Sequence, residues 1–102
     1  MKARLIQDQI ELLGQNISTA RKRRQLTQAQ LATKAGLTRP LLARVEQGVA
    51  SGIDAYFAAL WAMGLEREFI NLADPSRDLE GVRLERLRLP RRARPTQEDW
   101  DE

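Results

Sequence analysis

The apolar positions of the chain are clearest between Thr27 and Gly48, where Leu31, Ala32, Ala35, Leu37, Leu42 and Val45 recur at helical spacing on two short stretches. A hydroxyl at Thr27 suits the cap of a helix running to about Ala35, because it accepts an orphan backbone N–H of the first turn. Gly36 tolerates the left-handed backbone that closes such a helix, and Thr38 caps a second whose first turn accommodates Pro40. Ala32 and Gly36 are expected to let the two backbones approach closely. The pattern leaves Arg39, Leu41, Ala43, Arg44 and Gln47 outside.

Upstream, a helix from about Gln15 to Arg24 turns Ile17 and Ala20 inward. It ends in Arg21-Lys22-Arg23-Arg24, where cations complement the helix dipole. Residues 1–13 read as a separate helical arm, from about Arg4, that buries Ile6, Ile10 and Leu13. Both a dimerisation element and an extra helix over the core edge fit it. Downstream, Ser51 and Asp54 have capping-box spacing for a helix through Met63, with Ile53, Tyr56, Phe57, Leu60 and Met63 as its apolar stripe and Trp61 at the rim. Gly64 closes that helix, and Leu65, Phe69 and Leu72 carry a fifth to Asp74-Pro75. The reading is therefore an arm (1–13), a domain (14–74), an Arg/Leu-rich extension (75–95) and an acidic tail (96–102). In the extension, a helix over 78–87 gathers Leu79, Val82 and Leu87, while local alternation also permits a strand; the helix is preferred. Pro90 and Pro95 bracket Arg91-Arg92-Ala93-Arg94, either a solvated linker or a basic patch.

Composition narrows the chemistry. With 102 residues the chain suits one small helical domain and a tail. It has no His and no Cys, which removes zinc ligands, thiol nucleophiles and Ser-His-Asp triads, so neither an enzyme nor a cofactor site is expected. No signal peptide and no apolar run of membrane-spanning length is seen, and a cytoplasmic location is expected. The net charge of +3 hides an asymmetry: all 17 Lys and Arg lie in residues 1–95 against 10 of the 14 acids, a balance of +7, and the other four acids crowd into 96–102. A basic body suits a phosphate-rich partner.

The pattern Gln28, Leu31, Ala32, Ala35, Gly36, Leu37, Leu42, Val45, Glu46, Gly48 resembles the helix-turn-helix of the phage-repressor-like, or XRE, DNA-binding family, departing from it at Pro40 and Leu41, where small polar residues are commoner. The resemblance implies an all-α, five-helix, lambda-repressor-like DNA-binding domain, here with a basic C-terminal extension and acidic tail. It implies base reading in the major groove by Arg39, Pro40, Ala43 and Arg44, and phosphate contacts from Gln28, Thr38, Gln47 and Ser51. It also implies an ion pair between Arg21 and Glu46. A homodimer on a palindromic duplex is expected, with Trp61 and Phe69 as the first choice of contact. The basic extension and the short acidic tail bearing Trp100 resemble HipB-type antitoxin repressors, which silence their own operon and bind a HipA-like kinase toxin; Trp100 is the expected toxin contact. A free-standing phage-type or restriction-control repressor is the alternative. From a different class, a helical protein–protein adaptor that never touches DNA also fits the composition.

Overall fold

The computed structural model describes residues 2–50 and 52–89, which hold six α-helices, one 3-10 turn and no strand. The chain divides into two units, Met1–Ile70 and Asn71–Glu102. The first contains α1 (Lys2–Arg23), α2 (Gln28–Ala35), α3 (Arg39–Gln47), α4 (Ile53–Ala62) and α5 (Arg67–Ile70).

The expected arm and first helix are one unbroken helix of 22 residues. Gly14, the point at which the sequence suggested a division, is buried against α3: a Cβ there would lie 2.5 Å from the Val45 carbonyl oxygen and 2.7 Å from that of Glu46. A mid-helix glycine costs only about 1 kcal/mol relative to alanine, which close helix packing offsets. Of the three apolar residues assigned to the arm's buried face, Ile10 and Leu13 pack partly against the core, whereas Ile6 is 59% exposed because the helix runs on past the body it covers.

Ile17, Leu31, Leu42 and Val45 have no solvent exposure and meet Ala32, Ala55, Tyr56, Ala59, Leu60 and Met63 in a single core. Each fully buried aliphatic side chain contributes about 1.5–3 kcal/mol of transfer free energy, and this core sets the arrangement of α1 to α4. The caps act locally. Thr27 Oγ1 accepts from the Gln30 amide at 3.1 Å while the Gln30 side chain accepts from the Thr27 amide at 2.8 Å, a reciprocal capping box. Thr38 Oγ1 accepts from the Leu41 amide at 3.2 Å, and Pro40 occupies the first turn of α3 without forfeiting a helical bond. Gly36 and Gly48 close their helices at φ of 72° and 75°. Contrary to expectation, Gly36 admits no neighbouring backbone: nothing lies within 4 Å of a Cβ there, and only its left-handed conformation calls for glycine.

Several sequence expectations change in the second half of this unit. The cap of α4 is Gly52, without a side-chain hydrogen bond, so Asp54 falls at the second helical position, and the expected capping by Ser51 lies outside the described residues. Ile53, at the first helical position, is 63% exposed while Tyr56, Leu60 and Met63 are buried. The fifth helix is a single turn that stops at Ile70, and Leu72 beyond it is 60% exposed. Phe69 holds this turn by stacking on Phe57, with ring centroids 4.3 Å apart and planes 10° from parallel.

In the second unit, Asp74 Oδ1 accepts from both the amide and the hydroxyl of Ser76 at 2.9 Å, opening a 3-10 turn over Pro75–Arg77. Asp78 then caps α6 (Leu79–Arg88) through a 2.9 Å bond from the Gly81 amide. The helical reading of this segment is the one realised. Leu79 and Leu87 nevertheless lie exposed, with Val82 half-buried. No described helix is long and apolar enough to cross a membrane.

Candidate nucleic-acid interface

The side chains of α3 sort by angle. At about 100° per residue, positions 39, 40, 43, 44 and 47 fall within an arc of roughly 140°, and positions 41, 42, 45 and 46 fill the opposite side. Arg39, Pro40, Arg44 and Gln47 are exposed and Ala43 is half-buried, while Leu42 and Val45 lie in the core. Leu41, expected outside, instead packs partly against the core, because it begins the inward half of the helix. Two arginines, a proline and a glutamine thus share one face of a helix about 14 Å long, with Thr38 exposed at its start.

This face is held from behind by a charged network. Arg21, 9% exposed, donates from Nε to Glu46 Oε2 at 2.6 Å and from Nη2 to Glu46 Oε1 at 3.1 Å. Its Nη1 donates to the Leu26 carbonyl at 2.8 Å, fixing the turn between α1 and α2. Gln28 Nε2 donates to Glu46 Oε1 at 3.0 Å. One carboxylate on α3 therefore collects donors from α1 and α2, one helical turn beyond Leu42 and next to Val45. Burial pushes the Glu46 carboxyl upward, but the hydrogen bonds from Arg21 and Gln28, the charge of Arg21 and a contribution from Ser18 outweigh it and hold the group below the ordinary carboxylate range.

Gln28, which the resemblance assigns to phosphate, donates one amide hydrogen to Glu46, which orients the side chain at the foot of α2 and leaves its second amide hydrogen for another acceptor. The connection from α3 to α4 is pinned by the Tyr56 hydroxyl, which donates to the Ala50 carbonyl at 3.1 Å. Burial pushes the Tyr56 phenol up, and the charge of Arg44 opposes the shift. Ser51 and Trp100 lie outside the described residues, as do Arg91, Arg92, Arg94 and the acidic tail. Trp61 is 64% exposed on α4, and Phe69 is engaged with Phe57.

Residues 17–58 match the helix-turn-helix family model. The matched segment takes in the last third of α1, all of α2 and α3 and residues 53–58 of α4, and the match points to a DNA-binding transcription regulator. No curated protein and no solved structure matches the chain.

Sequence reasoning missed the residues by which the first half of α1, outside the matched segment, reaches α3. Gln7 Nε2 donates to the Gly48 carbonyl at 3.1 Å and to Glu11 Oε2 at 3.2 Å. A Cβ at Gly48 would lie 2.6 Å from the Glu11 Cα. Positions 7, 11 and 14 share one helical face, a spacing visible in the sequence, but the face is polar and nothing along the chain names its target.

Proposed function

We propose that the chain is a sequence-specific transcriptional repressor that binds a palindromic operator as a homodimer. The observation that carries this reading is the outward face of α3: Arg39, Pro40, Arg44 and Gln47 exposed together on a helix whose other side is locked into the core, within a helix-turn-helix segment. In the major groove, Arg39 and Arg44 are suited to bidentate contact with guanine O6 and N7, and Pro40 and Ala43 offer apolar contact to a thymine methyl. Thr38, Gln47, Ser51 and the second amide hydrogen of Gln28 are assigned to phosphate, which fixes register without reading sequence. One such helix spans only a few base pairs, so two copies on half-sites about 34 Å apart are needed for specificity.

The setting we propose is a toxin–antitoxin module in which the chain represses its own operon and neutralises a HipA-like kinase. The support is compositional: a compact basic domain, an arginine-rich stretch, and a terminal segment in which four acids surround Trp100. Duplex binding measured against salt tests the first part; each phosphate contacted contributes a slope of about −0.9 in log K against log salt, and a flat profile marks an adaptor that does not bind DNA. Deleting residues 96–102 tests the second. Operator binding survives and neutralisation of the kinase is lost; a deletion that changes neither refutes the antitoxin role and leaves a free-standing repressor.

A further inference from the structure

The geometry points to the first half of α1 as a brace that sets the angle of the reading helix, with Gln7 as its positioning residue. This rests on the DNA-binding reading above and names a determinant that lies outside the helix-turn-helix segment. Three observations converge on the C-terminal end of α3. Gly14 lets the α1 backbone sit against the Val45 and Glu46 carbonyls, at distances a Cβ would close to 2.5 and 2.7 Å. Gly48 lies against the backbone of Glu11 at a distance that leaves no space for a Cβ, 2.6 Å from the Glu11 Cα. Gln7 then divides the two hydrogens of its amide between the Gly48 carbonyl and the Glu11 carboxylate, at 3.1 and 3.2 Å.

The electrostatics make that amide more than a filler. The end of α3 presents backbone carbonyls and the negative pole of its dipole, and Glu11 brings a carboxylate to the same place. The Gln7 NH₂ group stands between them as a donor to both. A group of the same shape that accepts instead of donating sets three negative poles against one another, and the last turn of α3 moves away from α1. Because Arg44 lies in that last turn, base reading feels the displacement directly, whereas among the phosphate residues Gln47 alone shares that turn and Thr38 and Gln28 keep their places at the starts of α3 and α2.

Gln7→Glu and Gln7→Lys in the full chain separate this role from simple packing. The duplex is one that the wild-type chain selects from a random-sequence pool, and a scrambled duplex of equal length serves as control. Gln7→Glu is expected to lose about tenfold in affinity for the selected duplex with less than about twofold change on the scrambled one, because specificity comes from base contacts and background affinity from phosphates. Gln7→Lys, which can donate to the same two oxygens and complements the negative end of the α3 dipole, is expected to bind both duplexes as the wild type does. Equal loss on both duplexes, loss in Gln7→Lys as large as in Gln7→Glu, or no loss in either variant overturns the brace. A wild-type chain that selects no sequence overturns the DNA-binding reading, and the brace with it.

Discussion

Replacing Arg21 by alanine is expected to destabilise the first unit by about 3–5 kcal/mol, through the Glu46 carboxylate it leaves behind. The guanidinium makes three hydrogen bonds, two to Glu46 and one to the Leu26 carbonyl, and the paired side chains are only 11% and 7% exposed. That burial separates the pair from surface ion pairs, whose removal costs about 0–1 kcal/mol. Gln28 still donates to Glu46 in the variant, and the carboxyl can take up a proton, so the lower end of the range is expected. A unit of this size has a total stability of only several kcal/mol, and a loss of about 3 kcal/mol lowers its melting temperature by roughly 12–24 °C. The assay is a double-mutant cycle by urea unfolding on wild type, Arg21→Ala, Glu46→Ala and the double variant. The double variant strands no charge, so its loss should fall short of the sum of the two single losses by about 1.5 kcal/mol or more. An Arg21→Ala loss below about 1 kcal/mol, or strict additivity, refutes the argument that burial makes this pair structural.

The depressed Glu46 pKa gives stability a pH signature: its contribution is complete above the ordinary carboxylate value of 4.5 and is lost as pH falls below it through the folded-state value. Urea midpoints measured from pH 6 to about pH 3 should drop more steeply for the wild type than for Glu46→Gln, and parallel curves count against the assignment. Arg44→Ala should weaken binding to a selected duplex by about 1–3 kcal/mol and relax specificity at one base step; equal loss on a scrambled duplex marks a backbone contact. Trp61→Ala should change unfolding stability by less than about 0.5 kcal/mol, since the ring is largely in solvent, yet shift sedimentation toward monomer. Unchanged sedimentation moves the dimer surface elsewhere.

The reading pair of helices was legible because its signals are local. Threonine caps, left-handed glycines and the spacing of Leu31, Leu42 and Val45 act over a few residues, and each occupies the place that its chemistry requires. What the sequence hid depends on distant partners. Gly14 reads as a break, and only the proximity of the Val45 carbonyl reveals it as a point of contact. Ile6, Ile53 and Leu72 belong to apolar stripes by spacing, but spacing does not say where the covering element ends. Leu41 and Gln28 were assigned by helical phase and resemblance, and the core and Glu46 claim part of each.

The separation of α3 into two halves has a consequence for how such a chain can change. Leu42, Val45 and Glu46 answer to the scaffold, whereas Arg39, Pro40, Arg44 and Gln47 are in solvent and carry little folding energy. On the proposed DNA-binding reading, target preference can therefore drift, or be reprogrammed at Arg39, Pro40 and Arg44, while the architecture that carries them stays as it is.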